Sequence, residues 1–222
     1  MASDFLLAYL LNHQFNYQDS ILRTTVIFVI FLPLLLWQLS AGFYELGKLE
    51  KLVKNLSAHD ELTGLLNKSM FYRSAEKLHK IAIRNKQYYC ILLIDIDDFK
   101  IIIDKFGQDS ANKILSIFGQ VSRDTVRDSD ILARMGNQDF AFYLPNTNIQ
   151  QAESLSNRLF DKMRKKAVIN KDNKYIQYTA SIGISLNPAN ELQSLEKTIS
   201  MAKDALDIAK NEGGNNFKTY YQ

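Results

Sequence analysis

The first clear hydrophobic pattern is a run from Thr24 to Tyr44 that contains no charged residue. At about 1.5 Å per residue, a helix of this length crosses a hydrocarbon core of about 30 Å, so the run predicts one transmembrane helix over residues 24–44. Pro33 and Gly42 are tolerated in bilayer helices. A buried core helix and a cleaved signal peptide fit less well, because the run has no polar face and starts only after Asp4 and Asp19.

The charges on either side of this run predict its orientation. Lys48, Lys51 and Lys54 follow it closely, whereas Arg23 is the only Lys or Arg before it. The positive-inside rule places the C-terminal part in the cytoplasm and residues 1–23 outside, as a short extracytoplasmic segment. We therefore expect a single-pass protein of the inner (cytoplasmic) membrane, with the lipid bilayer as a partner.

A short apolar stripe follows in the connector, residues 45–59. Its members recur at spacings of three, four and three, like the a and d positions of a two-helix coiled coil: Leu46, Leu49, Val53 and Leu56. The stripe predicts a parallel homodimer through these four residues. Because it covers fewer than two heptads, packing of the stripe against the following domain stays an alternative.

Beyond Asp60 the hydrophobic pattern predicts four strands, two of which form a hairpin. Cys90–Ile96 is continuously apolar, as in a strand buried on both faces. Ile131–Arg134 and Phe140–Leu144 flank a turn at Gly136 and Asn137 and predict a hairpin. The segment from Ile176 to Leu186 alternates strictly and predicts a half-buried strand.

Three helical stripes separate and follow these strands. They run from Ala111 to Val121, from Ile149 to Met163 and from Leu192 to Ala209. The order is then strand, helix, hairpin, helix, strand, with additions at both ends. This order predicts an α/β (α+β) fold with a ferredoxin-like split βαβ core.

Composition and charge narrow the functional classes. Hydrophobic residues make up 46% of the chain, enough for an ordinary core, and the net charge of +3 is spread without a long basic run. A nucleic-acid partner is therefore not expected. Cys90 is the only cysteine and lies in an apolar run, which predicts a buried thiol and excludes an intrachain disulfide.

Five segments resemble, in order and spacing, the motifs of the GGDEF (diguanylate cyclase) family. They are Asp60–Asn67 (DELTGLLN), Asp95–Lys100 (DIDDFK), Ala133–Phe140 (ARMGNQDF), Thr179–Gly183 (TASIG) and Ala205–Lys210 (ALDIAK). Each motif alone is weak, but five in register make a chance match implausible. The resemblance implies a domain over residues 60–222, a core of the nucleotidyl cyclase/polymerase palm type, and a bacterial signalling protein.

The resemblance also implies the positions of catalysis. In this family the 3′-hydroxyl of one GTP attacks the α-phosphate of another across two facing domains, with two metal ions. Asp95, the Ile96 carbonyl and Asp139 match metal-binding positions. The signature is altered, however, with a neutral third residue and a fourth that is one methylene shorter; it reads Gly136, Asn137, Gln138, Asp139, Phe140. That Asp95 and Asp97 only cap the strand end stays an alternative.

The positions that match substrate contacts are altered too. Ile103 stands where the family has a guanine-reading Asn, and Asn112 where it has the partner Asp. Lys210 of a phosphate-binding pair is kept, while Gly214 replaces its Arg. With Lys100, these positions form a vestigial substrate site: Lys100, Ile103, Asn112 and Lys210. We expect no functional catalytic residue and no required cofactor, with Mg²⁺ only if residual cyclase activity exists.

One ligand site of the family is matched in full. Arg127 and Asp130 form an R-x-x-D five residues before the signature, the family's register for its inhibitory cyclic di-GMP site. Arg158 matches an Arg that completes this site from a neighbouring domain. Because Arg158 and Asp161 repeat the spacing, register rather than the motif supports the prediction of cyclic di-GMP binding. An active cyclase with an unusual signature, and an adaptor that binds an unidentified protein partner, stay open.

Overall fold

The structure is a computed structural model that describes residues 32–166, 168–169, 175–189 and 193–221, without the side chains of residues 46–56. The chain divides between Leu56 and Ser57 into two units.

The first unit contains helix α1 (Leu32–Leu56). Among the described helices, none is long and apolar enough to cross a membrane. Residues 1–31, and with them the first part of the predicted span, lie outside the description, as do the side chains of the predicted dimer seam. The large apolar side chains of α1 are exposed, with Trp37 at 69% and Phe43 at 72%.

The second unit combines a mixed sheet with four helices. In chain order its elements are β1 (Leu66–Asn67), α2 (Lys68–Asn85), β2 (Tyr89–Ile96), α3 (Phe99–Arg123), β3 (Ile131–Gly136), β4 (Asp139–Pro145), α4 (Ile149–Lys165), β5 (Val168–Ile169), β6 (Tyr175–Ile176), β7 (Ala180–Asn187), α5 (Leu195–Asn211) and β8 (Phe217–Thr219). Six strands form one sheet in the order β1-β3-β4-β2-β7-β8, and β5 pairs with β6 apart from it. The four central strands, β3, β4, β2 and β7, are antiparallel to one another, while the edge strands β1 and β8 pair in parallel with β3 and β7. The predicted split βαβ core is confirmed.

Both faces of the sheet are covered by helices. Along β2, Cys90, Leu92 and Ile94 belong to the core under α3 and α4, whereas Tyr89 and Ile91 belong to the core under α2 and α5. Successive side chains of a strand point to opposite faces. Burial on both faces therefore explains why this strand reads as a continuous apolar run.

Three predicted boundaries are wrong. Ile176 lies in the short β6, and the long strand begins only at Ala180 and is buried on both faces rather than half-buried, because α5 packs on its second face. Helix α3 begins at Phe99, well before Ala111, and is interrupted at Gly107, where φ is +80°. Helix α2 was not predicted as a separate element. The last helix begins at Leu195.

Helix α5 approaches the sheet very closely at Gly183. A Cβ atom built there would lie 2.0 Å from the Ala202 carbonyl oxygen and 2.3 Å from the Leu206 amide nitrogen. Only glycine permits α5 to rest directly on the backbone of β7. This contact fixes the helix that carries Lys210 near its C-terminal end.

Candidate functional site

Two carboxylates meet at the C-terminal end of β2. The pairing of β2 with β4 places Asp95 opposite Asp139. Lys210 reaches them from α5, with its Nζ 2.9 Å from Asp95 Oδ2. Asp95 is buried, whereas Asp139 is exposed. Two negative groups thus share one ammonium group.

The shared charge affects the ionisation of this cluster. Partial desolvation of the Asp139 carboxyl, a hydrogen bond with Asp95 and the charge of Asp95 raise the pKa of Asp139 to about 6, although Lys210 and Lys68 oppose the shift. Burial lowers the pKa of Lys210, but the hydrogen bond and charge of Asp95 and the charge of Asp139 outweigh it, so that the pKa is raised overall. The ammonium group of Lys210 is therefore held charged, while Asp139 titrates near pH 6.

These residues do not fit a pair of divalent ions. Such ions require several oxygen ligands, mostly carboxylates, and Gln138 offers only a neutral amide. The backbone carbonyl oxygen of Gln138 accepts a hydrogen bond from the Ile96 amide at 3.3 Å, which joins the hairpin turn to β2. Within the described residues, no group of three or more His, Cys, Asp or Glu side chains is placed to hold a metal.

Asp97, two residues further along, is fully engaged in structural contacts. Its carboxylate accepts hydrogen bonds from Thr179 Oγ1 and Ser181 Oγ, both at 2.6 Å, and from the Asn215 amide at 2.9 Å. A Cβ atom at Gly214, where φ is +73°, would lie 3.0 Å from this carboxylate. Capping of the strand end therefore describes Asp97 and not Asp95. The positive φ of Gly214 and its short distance to the Asp97 carboxylate explain why an Arg at this position would require a local rearrangement.

A second anchor joins the first motif to the signature turn. The Arg134 guanidinium lies 3.2 Å from Asp60 Oδ2 and donates to the Asn137 carbonyl oxygen at 2.7 and 3.1 Å. Burial raises the pKa of Asp60, but hydrogen bonds from Thr63 and the charge of Arg134 hold it below its ordinary value. This pair was not predicted from the sequence. The two residues lie 74 positions apart, in the first and third of the five motifs, and their opposite charges were the only signal for the pair.

The turn is further shaped by backbone conformation. Gly136 has φ of +152° and Asn137 has φ of +20°, both in the region that favours glycine. The Arg134 bonds hold Asn137 in this conformation. The turn is thus retained although the second signature glycine is absent.

Helix α3 and this turn enclose a pocket of about 350 Å³. It is lined by Phe99, Lys100, Ile103, Gln108, Leu115, Arg134, Asn137 and Gln138. Asn112 adjoins it through a hydrogen bond from Gln108 Nε2 to Asn112 Oδ1 at 3.0 Å. The structure therefore places Lys100 and Ile103 at one pocket and bonds Asn112 to its lining residue Gln108, while Lys210 lies with the carboxylate pair. Gln108 was not predicted as a site residue.

The third predicted site lies in the segment between α3 and β3. Asp130 Oδ2 accepts a hydrogen bond from the Arg127 amide at 2.9 Å, and the Asp130 amide donates to the Arg127 carbonyl at 3.0 Å, which closes a tight turn. Arg158 Nη2 donates to the Thr125 carbonyl oxygen at 2.9 Å. Arg158 therefore reaches the segment just before Arg127 within the same chain. Asp161 pairs with Arg164 instead.

Comparisons with known proteins agree with this arrangement. A family profile described as "Diguanylate cyclase, GGDEF domain" matches residues 57–216. Diguanylate cyclase DgcM of Escherichia coli is 31% identical over 171 residues, which cover 77% of this chain and 40% of DgcM. Cyclic di-GMP phosphodiesterase NbdA of Pseudomonas aeruginosa is 33% identical over 165 residues, 74% of this chain and 21% of NbdA. The chain thus spans less than half the length of these curated relatives.

Solved structures show the same fold. The GGDEF domain of DgcB from Caulobacter crescentus, crystallised in complex with c-di-GMP, superposes with a TM-score of 0.70 at 20% identity, over 74% of this chain and 96% of that one. The GGDEF domain of PA1120 (TpbB or YfiN) from Pseudomonas aeruginosa gives 0.69 at 26% identity, over 73% and 94%. Since the family profile covers most of the chain and the architecture agrees, the chain belongs to the GGDEF diguanylate cyclase family.

Proposed function

We propose that this chain is a membrane-anchored, catalytically degenerate GGDEF protein that binds cyclic di-GMP at Arg127, Asp130 and Arg158 and acts as a regulator. The observation that carries the proposal is the hydrogen bond from Arg158 to the Thr125 carbonyl. It brings a helix α4 cation to the segment that leads into the R-x-x-D turn. Arg158 could then complete the site together with Arg127 and Asp130 from within one chain, instead of from a neighbouring domain.

The chemistry of this surface suits a guanine-containing ligand. The exposed guanidinium of Arg127 can grip a guanine O6/N7 edge or a phosphate with two hydrogen bonds. Asp130 Oδ2 is occupied by the Arg127 amide, and Oδ1 receives only a long bond of 3.3 Å from Ser129. Oδ1 can therefore accept from the guanine N1 and N2 protons.

Catalytic degeneracy is supported by the carboxylate cluster. Gln138 carries no charge, and Asp95 is paired with Lys210. The full chain, incubated with GTP and Mg²⁺, should produce no detectable cyclic di-GMP. Gln138→Glu alone should not restore synthesis, because Ile103 and Gly214 still lack the family's polar groups. Turnover comparable to that of an intact family member would overturn this part of the proposal.

Binding is tested by calorimetry with the full chain in detergent. We expect a binding isotherm for cyclic di-GMP that Arg127→Ala abolishes, with no change in melting temperature, since an exposed Arg contributes little to stability. Arg84→Ala, an exposed Arg at the end of α2, is the matched control and should bind like the parent. If the parent shows no binding at about tens of micromolar, or Arg127→Ala binds equally well, the receptor function fails and a ligand-independent adaptor takes its place.

Membrane anchoring is supported by the exposed apolar side chains of α1, such as Leu35, Trp37 and Phe43, since a surface of this kind is unusual in water. The protein should remain in the membrane pellet after carbonate extraction. For the proposed dimer, Leu49→Lys together with Val53→Lys places charges in the seam and should give monomers in detergent. A persistent dimer would assign association to another part of the chain.

A second candidate function is an active diguanylate cyclase with an unusual signature. The 31% identity to the cyclase DgcM favours it. The turnover assay separates the two candidates directly.

A further inference from the structure

A second pocket lies within residues 57–222, between the C-terminal end of α4 and the segment that joins β6 to β7. Its volume of about 400 Å³ falls in the range of small-molecule sites. Its described lining shares no residue with the pocket at the signature turn and includes none of Arg127, Asp130 and Arg158. It is therefore separate from the sites considered above.

One rim of this pocket carries two cations. Arg164 lies in the last turn of α4, and Lys166 is its C-cap residue. Arg164 pairs with Asp161, whose side chain is 60% exposed. Lys166 Nζ lies 3.8 Å from Asp124 Oδ2, on a side chain that is 55% exposed. Exposed pairs of this kind contribute little free energy, and no residue of the described lining carries a carboxylate, so an anion in the pocket can replace either acid.

The rest of the lining suits the body of an aromatic ligand. Met163 and Ile176 are buried apolar side chains, and Tyr178 is half-buried. Tyr175 is 72% exposed, so that its ring can stack on a planar group. The pocket thus combines a cationic rim with aromatic and apolar walls.

A neighbouring carboxylate sets the direction of such a ligand. Thr179 and Asn215 line the pocket, and both donate hydrogen bonds to Asp97. The Thr179 hydroxyl and the Asn215 amide are therefore occupied, and the charge of Asp97 repels an anion at this end. An anionic group is thus favoured at the α4 rim, beside Arg164 and Lys166.

We propose that this pocket binds a small aromatic phosphate ester, with the phosphate at Arg164 and Lys166 and the aromatic group beside Tyr175. A phosphate monoester carries about −1.5 to −2 charges at neutral pH, which matches the two cations. A guanidinium can bind two phosphate oxygens at once. The exposed side-chain amide of Gln177, also in the lining, can donate to another oxygen.

The test uses phenyl phosphate as the probe, observed by saturation-transfer NMR with the full chain in detergent and with detergent alone as the blank. We expect saturable binding with a dissociation constant of about 1 mM or below. Benzoate has the ring but a single charge, and inorganic phosphate has the charge but no ring. Both should compete about 5-fold more weakly than phenyl phosphate itself.

Four variants locate the site. Arg164→Gln and Lys166→Met should each weaken phenyl phosphate binding about 5-fold or more. Lys165→Met is the matched control, because Lys165 is exposed between these two positions and is not among the lining residues. Tyr175→Leu should weaken phenyl phosphate and leave competition by inorganic phosphate unchanged. Arg127→Ala should bind like the parent, so that this result and that of the cyclic di-GMP site remain separable.

Three results would overturn the proposal. They are no saturable binding at about 10 mM phenyl phosphate, binding of benzoate as tight as that of phenyl phosphate, and an effect of Lys165→Met as large as that of Arg164→Gln. The last result would indicate attraction by surface charge without a site. Melting temperatures check the folding of the variants, all of which replace exposed or partly exposed side chains.

Discussion

The two carboxylate sites at the end of β2 differ in how their charge is compensated. Asp97 accepts three hydrogen bonds from uncharged donors. Asp95 instead faces a second carboxylate, Asp139, and both depend on Lys210. The first carboxylate is saturated and serves the fold. Asp95 and Asp139 keep a repulsion between two carboxylates that no packing requirement explains, and such repulsion is typical of functional positions.

The largest effect should come from the saturated site. Asp97→Ala leaves Thr179, Ser181 and the Asn215 amide without their shared acceptor, and we expect the free energy of unfolding to fall by about 3 kcal/mol. Urea unfolding of the full chain measures this. Asp98→Asn is the control, because Asp98 is exposed, makes no capping bond, and Asn tolerates its φ of +52°. If the two variants are equally stable, Asp97 does not stabilise the fold through these hydrogen bonds.

Removal of the Lys210 ammonium group should lower the free energy of unfolding by a smaller amount. Lys210→Met removes the ammonium group that is paired with the buried Asp95 and leaves the charge of Lys68 to act on Asp139, but the Lys210 side chain is 42% exposed. A half-exposed pair lies between the buried and surface extremes, so we expect a loss of about 2 kcal/mol at pH 7. Lys203→Met, at an exposed position of the same helix, should change the unfolding midpoint little. Identical midpoints for the two variants would mean that Lys210 compensates nothing.

Removal of a single hydrogen-bond donor tests how much each of the three bonds to Asp97 contributes to stability. Ser181→Ala removes one of three hydrogen bonds to a carboxylate, and we expect a loss of about 1.5 kcal/mol. Ser200→Ala, on the exposed face of α5, is the matched control and should lie close to the parent in the same urea experiment. A loss as large as that of Asp97→Ala would instead indicate that Ser181 carries the whole anchor.

The smallest effect should be a pH dependence at Asp139. Its pKa is about 6 in the folded chain and about 3.9 in unfolded chains. The folded state thus holds this proton more tightly, and the stabilisation is full below pH 4 and lost as pH rises through 6. Asp139→Asn should remove this slope and gain about 1 kcal/mol or less relative to the parent at pH 7, since Asp139 is exposed and screened.

Urea midpoints between pH 4.5 and 7, in buffer with a chelator, measure this difference. Asp204→Asn, an exposed acid on α5, should run parallel to the parent across the range. If Asp139→Asn also runs parallel, Asp95 and Asp139 do not repel each other.

Local sequence signals were sufficient for much of the fold. The hairpin of β3 and β4 follows from a Gly136–Asn137 turn between two apolar strands, and the continuous run of β2 indicates burial on both faces. The strand that ends at Asn187 was misjudged at its start. Its alternating pattern predicts one solvent-exposed face. Helix α5, which comes later in the chain, packs against that face and buries it.

The anchors of the site could not be predicted from local patterns. Asp97 and Asn215 are 118 positions apart, and Asp60 and Arg134 are 74 apart. Only the folded chain brings these pairs together. By contrast, Gln108 and Asn112 lie four positions apart on one helix, a spacing at which side chains meet. That pair was visible in the sequence and was overlooked.

The contact of α5 with β7 at Gly183 has a consequence for how this chain can change through evolution. A single methyl group there would push the helix away from the sheet and move Lys210 with it. Ile103 and Gln138 are only partly buried and border a pocket, so replacements there disturb the packing less than a methyl group at Gly183 would. Mutation can therefore alter what the molecule recognises long before it can alter the scaffold, so a lineage can lose one activity and acquire another ligand while its architecture persists.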